Sequence, residues 1–344
     1  MVAASEIRRA AIREVVLVNA NSIKSSSTPS NIEYIDISSV GTGEFTEPPK
    51  LMSFADAPSR ARRIVKAGDT ILSTVRPNRR SFLFLASPSS IAVASTGFAV
   101  LTPTTAVDAR YLYYWVTRQD FTDYLSLHAK GAAYPAVSAE DIGNGEIDLP
   151  PLQVQQRIAG ILSAYDELIE NSQRRIKIME SMTRALYREW FVHFRFPGHE
   201  NHPRVASSLG EIPQGWEVKA IKNFGKVITG KTPSKANDAY FGKDVQFLKT
   251  PDMHGSMFIL NTNERLSSSG AASQANKTLP AGTICVSCIG TIGVVSITTE
   301  ECQTNQQINS VVLASPVSRE FLFLRLQDAK QALENLGSNG ATMG

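Results

Sequence analysis

Residues 149–170 read LPPLQVQQRIAGILSAYDELIE. Pro150 and Pro151 suit the first turn of a helix, where proline's missing N–H costs nothing. Behind them, apolar residues fall at Ile158, Leu162, Tyr165 and Ile169, and continue at Ile176, Met179, Leu186 and Trp190. This near three-four alternation predicts a seam of coiled-coil type rather than the broader face of a globular helix. From Gln153 to about Val192 such a helix is roughly 60 Å long at 1.5 Å per residue, which outreaches any single domain core. FRFPGHENHP at 194–203 supplies the prolines and glycine that end it.

The helix separates two regions of a different texture. From about residue 12 to 148 come short stretches such as EYIDISSV (33–40), DTILSTV (69–75), SFLFLAS (81–87), IAVAS (91–95) and GFAVLTP (97–103). They are rich in β-branched and aromatic residues and punctuated by Gly, Pro, Asn and Ser, the signature of strands and turns. One helical segment, ARYLYYWVTRQDFTDYLSLH (109–128), interrupts them, with Leu112, Trp115, Tyr124 and Leu127 at helical spacing. After residue 203 the strand pattern returns in DVQFLKT (244–250), GTICVSCIGTIGVVSIT (282–298) and QINSVVLASP (307–316), followed by the helical SREFLFLRLQDAKQALENLG (318–337).

These two regions are repeats of one another. VKAGDTILSTVRPNRR (65–80) parallels LPAGTICVSCIGTIGV (279–294), and STGFAVLTP (95–103) parallels INSVVLASP (308–316). ARYLYYWV (109–116) parallels REFLFLRL (319–326), and LHAKGAAYP (127–135) parallels LGSNGATMG (336–344). The expected fold class is α+β: strand-rich domains at 1–148 and 199–344, separated by a long helix and linker at 149–198.

Bulk composition admits this arrangement and narrows its chemistry. A chain of 344 residues is long enough for two cores, and 42% hydrophobic with 19% charged residues describes an ordinary globular protein. No apolar run approaches the ~20 residues needed to span a bilayer, and MVAASEIRRAAIREVV at the start lacks the apolar core of a secretory signal. A cytoplasmic location is expected. The net charge of +3 permits nucleic-acid binding without arguing for it. The three cysteines, Cys285, Cys288 and Cys302, do not form a disulfide scaffold. Cys285 and Cys288 have CxxC spacing but sit on a strand-like run, where residues three apart face opposite ways and their sulfurs diverge. HENH at 199–202 lies in a linker without a third ligand of matching spacing. No metal site is expected.

Catalytic motifs are absent across the common classes: GxxxxGK[ST], HExxH, GxSxG and the Asp/Asn-Pro-Pro-Tyr/Phe loop of adenine methylation. The carboxylates form no general acid/base pair. The chain reads as a binder, with no catalytic residue. RPNRR at 76–80 places Arg76, Asn78, Arg79 and Arg80 on a tight loop, and arginine and asparagine make bidentate contacts to guanine and adenine edges. Arg60, Arg62 and Arg63 fit phosphate contacts, and Lys130 and Tyr134 lie on a loop hinged by glycine. In the second region the candidates are Lys231, Thr232, Lys235, Lys249, His254, Asn305 and Gln306, the last two in the amide cluster QTNQQINS with Gln307. Each group has a plainer reading as a solvated turn.

LPPLQVQQRIAGILSAYDELIENSQRRIKIMESMTRALYREWF closely resembles the central helix of the specificity subunits of type I restriction–modification systems, with its Leu-Pro-Pro-Leu-x-x-Gln-x-x-Ile opening. YIDISSV, AGDTILS and IPQGWEVKAIKNFGKVITGKTP support the resemblance, which spans nearly the whole chain. It implies that two target-recognition domains each read half of a bipartite double-stranded DNA site. The helices then act as a ruler and dock the methyltransferase subunits, two of them, and through these the restriction subunits. S-adenosylmethionine, ATP and Mg are implied for those partners, with no cofactor in this chain. No individual base contact carries over. The family's second conserved helix, after the second domain, has no counterpart before NGATMG. The expectation is therefore a partial subunit whose seam pairs with another chain, by self-association or on the methyltransferase subunits. The alternatives are a DNA-modifying enzyme with an unrecognised active site and a dimeric DNA-binding scaffold.

Overall fold

A computed structural model describes residues 7–24, 28–131, 134–315 and 319–338. The chain forms two compact units, Met1–Arg174 and Arg175–Gly344. The division falls inside the long helix, so the expected separate spacer at 149–198 is shared between them.

In the first unit, one sheet runs in the order Val16–Val18, Phe98–Pro103, Thr70–Ser73, Phe82–Phe84, all antiparallel. Both its faces are covered, which is why FAVL and TIL are continuous apolar runs. Leu72, Phe82, Ala99 and Leu101 point to a core shared with helices, while Ile71, Leu83, Phe98 and Val100 pack toward the second sheet. That second sheet runs Lys50–Ser53, Asn31–Ile35, Ala92–Ser95, Ala61–Ile64, and the Asn31–Ile35 and Ala92–Ser95 strands are parallel.

The segment expected to be one helix is two, α1 (Ala109–Val116) and α2 (Gln119–His128). Asp108 caps α1 by accepting from the Arg110 and Tyr111 N–H groups. Arg118 is extended at the start of α2, and the Thr117 carbonyl beside this break accepts from the Arg80 guanidinium at 2.8 Å. The break turns α2 so that Phe121 and Leu125 enter the core, and Leu127, expected on the apolar face, is exposed. A capping box of Ser138 and Asp141 starts α3 (Ala139–Asn144). The following strand, Glu146–Leu149, pairs antiparallel with Arg8–Ala11.

The central helix, α4 (Leu152–Tyr187), has 36 residues and is about 54 Å long. It begins after both prolines rather than on them, and the Pro151 carbonyl accepts from the Val154 and Gln155 N–H groups. Its first turns are anchored in the first unit. Buried Gln155 accepts from the Asp108 N–H at 2.9 Å and donates to the Pro150 carbonyl at 2.9 Å, and the Tyr114 hydroxyl donates to Asp166 at 2.6 Å. Its end is anchored in the second unit, where Tyr187 is buried with Phe191 and Phe321. The α-helix stops at Tyr187 and a π-helical turn, Arg188–Val192, replaces the last expected turn.

Ile158, Leu162, Tyr165, Ile169, Ile176, Met179 and Leu186 are 37–64% exposed, and Trp190 is half-buried. Ile161, Leu168, Ile178 and Met182 are exposed beside them. The apolar surface of α4 is therefore wider than the expected seam.

The second unit repeats the strand order of the first unit's first sheet and adds a fifth strand to it. Gly225–Thr229, Ile308–Leu313, Ile284–Ser287, Val295–Thr298 and Phe258–Ile259 form one sheet. Phe241–Gly242, Glu264–Leu266, Val245–Leu248 and Cys302–Thr304 form the other, with its one parallel pair, Val245–Leu248 with Cys302–Thr304, at the edge rather than the centre. The helices are α5 (Ser268–Ala272), α6 (Arg319–Asp328) and α7 (Lys330–Ser338). Hydrogen bonds fix the equivalence residue by residue. In the first unit Ser73 N–H donates to Ser81 and Thr74 N–H to Gly97 (2.8 and 2.9 Å); in the second Ser287 donates to Val294 and Cys288 to Gln307 (2.9 and 2.8 Å). Cys288 thus stands where Thr74 does, and Ile308 where Phe98 does. Of the paired stretches LHAKGAAYP and LGSNGATMG, residues 132–133 and 339–344 lie outside the described residues.

Candidate nucleic-acid interface

At one end of the first unit, two loops are stitched together. The Arg76 N–H donates to the Pro135 carbonyl at 2.7 Å and the Val137 N–H to the Thr74 carbonyl at 2.9 Å, while Lys130 and Ala136 exchange a reciprocal pair. Pro77–Arg79 form a 3-10 turn flanked by Arg76 and Arg80 in the left-handed region, at φ 50° and 56°. Such a conformation costs a non-glycine residue about 1–2 kcal/mol and persists only where the surroundings impose it. Here the surroundings are explicit. The Arg76 guanidinium lies 4.8 Å over the Tyr134 ring, and Arg80 is held by Thr117 and Gln119. Gly131, at φ 105°, is the hinge: a Cβ there would sit 3.0 Å from the Tyr134 carbonyl oxygen. The result is a rigid ridge presenting exposed Asn78, Arg79, Lys130 and Tyr134. Arg80, by contrast, is spent on the α1–α2 break.

The SRARRIVK cluster is largely engaged internally. Arg60 forms an ion pair with Asp36 at 2.6 Å and donates to the Tyr34 hydroxyl at 3.0 Å. Arg62 lies 5.0 Å over Phe54, and Arg63 donates to Ser22 at 3.2 Å. Burial alone would raise the Asp36 carboxyl pKa, but hydrogen bonds from the Ser38 N–H, Arg60, the Ser38 hydroxyl and Tyr34 hold it well below the usual carboxylate range. A depressed carboxylate contributes stability above its unfolded value of about 3.9, and that contribution disappears as pH falls through the folded value. Wild-type protein is therefore expected to lose stability below about pH 4. Asp36→Asn should show a flatter acid limb in urea titrations, and a loss of about 1–2 kcal/mol at pH 7.

In the second unit the candidates divide similarly. Lys231 and Lys235 are exposed, as are His254 and Gln306. Thr232 donates to the Gln306 side-chain oxygen at 2.7 Å. Lys249 is paired with Glu264 and lies 5.6 Å from the centre of the Phe247 ring. Asn305 is buried and braces the turn, donating to the Gln307 side chain at 3.0 Å and accepting from its N–H at 3.2 Å. Ile289, at the start of the connection equivalent to the arginine loop and in the place of Val75, is exposed and was not among the expected contact residues. The parallel of CIGTIGV (288–294) with TVRPNRR (74–80) is the sequence signal for its position.

Among the described residues no cluster of three or more potential metal ligands occurs. Cys285 ends up buried beside the Ser310 hydroxyl, its thiol pushed up to about 12 by burial, whereas Cys288 follows the end of the strand and accepts from the Asn309 amide. His199 and His202 each place a ring nitrogen against a backbone carbonyl, of Phe196 and Gln214. No helix among the described residues is long and apolar enough to cross a membrane.

The family model for the type I restriction modification DNA specificity domain matches residues 12–180 and 213–344, one segment for each repeat. The chain belongs to this family. The specificity subunit of the type I restriction enzyme HindI from Haemophilus influenzae is 30% identical over 370 residues, covering 90% of this chain and 80% of that one. The MjaIX specificity subunit of Methanocaldococcus jannaschii is 27% identical over 187 residues, covering 54% of this chain and 42% of that one. The solved S subunit of a type I restriction-modification system from M. genitalium matches with a TM-score of 0.54 at 10% identity, over 98% of this chain and 81% of that one. This last likeness supports the fold. As a type I specificity subunit, the chain carries two specificity domains, and the resemblance that began with LPPL holds across both.

Proposed function

We propose that this specificity subunit binds a bipartite double-stranded DNA target, one half through each unit, and docks methyltransferase subunits on α4. The observation that carries the reading is the repeated hairpin, whose base is closed by the same hydrogen bonds in both units while its tips carry different side chains. A rigid frame with a variable tip suits base readout, in which phosphate contacts set register and a few side chains choose the sequence. In the first unit Arg79 and Asn78 read bases while Lys130 contacts phosphate. In the second, Lys231 and Lys235 supply the phosphate contacts. The exposed apolar residues of α4 suit a protein partner, since contiguous apolar patches on soluble proteins mark interaction sites. Methyl transfer, with S-adenosylmethionine, and the ATP- and Mg-dependent steps belong to the partners, and restriction subunits join through the methyltransferase.

The test maps methylated adenines in cells carrying this chain with its methyltransferase subunits. The expected result is a two-part motif with a fixed gap. Exchange of residues 1–148 for those of a relative should alter one half alone. Methyl transfer by the purified chain without partners, or a continuous motif, would oppose the reading.

A further inference from the structure

The equivalent tips carry opposite chemistry. In the first unit the connection after Thr70–Ser73 holds Arg76, Asn78, Arg79 and Arg80; in the second the connection after Ile284–Ser287 is Cys-Ile-Gly-Thr-Ile-Gly, 288–293, without a charge. Ile289 is 41% exposed at its start. Gly290 and Gly293 hold φ values of 78° and 80°, a conformation that side-chain-bearing residues rarely adopt, so the loop keeps this shape only with glycine. The Ser287 hydroxyl braces it from inside, donating to the Thr291 carbonyl at 2.5 Å and accepting from the Val294 N–H at 2.9 Å.

Beside it stands the Gln307 amide, with Gln306 next to it in the chain, and both are fixed through their oxygens. Gln306 Oε1 accepts from Thr232 at 2.7 Å, and Gln307 Oε1 accepts from Asn305 at 3.0 Å. The Gln307 Nε2 lies 3.7 Å from the point a Cβ on Gly290 would occupy, which places this amide against the loop. Anchoring the oxygens leaves the Nε2 hydrogens as donors.

We infer that the second unit reads its half of the target through neutral contacts, with Ile289 against a thymine methyl group and Gln306 and Gln307 donating to base-edge acceptors, whereas the first unit reads through the Arg79 guanidinium with Asn78. The thymine methyl is displayed only in the major groove, and an aliphatic side chain is its natural complement. Neutral contacts release no condensed counterions, so this tip contributes specificity without salt dependence. Salt dependence from the second unit then comes from Lys231 and Lys235. The inference rests on the DNA-reading proposal above.

The experiment uses the complex of this chain with its methyltransferase subunits and a fluorescent duplex carrying the mapped motif, titrated across KCl concentrations. Ile289→Ala should weaken binding about tenfold, with an unchanged slope of log K against log[KCl]. Replacing the contacted thymine by uracil should produce the same loss in wild type and no further loss in Ile289→Ala. Ile289→Lys should steepen the slope by about one, and Arg79→Ala should reduce it by about one. Melting curves of the variants that match wild type separate these effects from unfolding. Binding by Ile289→Ala equal to wild type, or indifference of the wild type to uracil at every thymine of that half-site, overturns the inference while the bipartite motif stands. Absence of a bipartite motif overturns the DNA-reading proposal itself.

Discussion

Ile169→Asp with Ile176→Asp is expected to remove this chain from its complex with the methyltransferase subunits. Both side chains lie on the stretch of α4 between its two anchored ends, 55% and 51% exposed. Their replacement therefore opens no cavity in the chain itself, and the main local cost is aspartate's poorer helix propensity, about 0.5 kcal/mol each. At an interface the balance is different. Truncation of a buried apolar anchor costs about 2 kcal/mol or more, and a carboxylate left facing an apolar partner adds desolvation to that loss. Two such sites together correspond to at least about a thousandfold in affinity. Co-purification and analytical ultracentrifugation would read the loss, and unchanged circular dichroism would show that the helix survives. A full-strength complex from the double variant would move the docking surface away from α4.

Phe98→Ala is expected to destabilise the first unit by about 3–5 kcal/mol, a large part of the 5–15 kcal/mol that holds a typical domain together. Phe98 is fully buried between the two sheets, among Ile71, Val100, Leu83 and Ala94, and pairs directly with Ser73. The adjoining Gly97 carbonyl accepts from both the N–H and the hydroxyl of Thr74, the first residue of the arginine loop. Loss of this ring therefore reaches the Arg76–Arg80 ridge through one residue. Guanidinium denaturation followed by tryptophan fluorescence, using Trp115, would measure the change; a loss below about 1 kcal/mol would mean that the surrounding chains close the cavity. Ile308 fills the same register position in the second unit, so the two cores solve one packing problem with different side chains.

The internal repeat was legible because it rests on local patterns: an Ala-Gly turn before a strand, a strand ending in a proline or polar turn, an aromatic helix after it. The central helix was legible for the same reason, since apolar spacing and flanking prolines are properties of neighbouring residues. The helix follows that spacing from Leu152 to Tyr187, but its ends do not. The chain leaves the α-helical path at Arg188 as Tyr187 and Phe191 pack with Phe321, a residue more than a hundred positions away. The break between α1 and α2 has a similar origin, in a guanidinium contributed from 37 residues upstream.

The polar candidates divide along the same line. Sequence by itself determined the fold class and the two repeated units, because periodicity and composition encode them within a few turns or strands, and the LPPL-headed helix carried the resemblance to the family. It also placed Arg76, Arg79 and Arg80 on a turn, but a turn does not reveal whether a guanidinium faces solvent or a partner. Only the tertiary structure decided that Arg60 is bound to Asp36, Arg80 to Thr117 and Asn305 within its own turn, leaving Asn78, Arg79 and Lys130 on the ridge. The physical reason is that a charged or amide side chain is satisfied by whatever group the fold brings within about 3 Å. For Arg60 and Arg80 those groups lie 24 and 37 residues away along the chain.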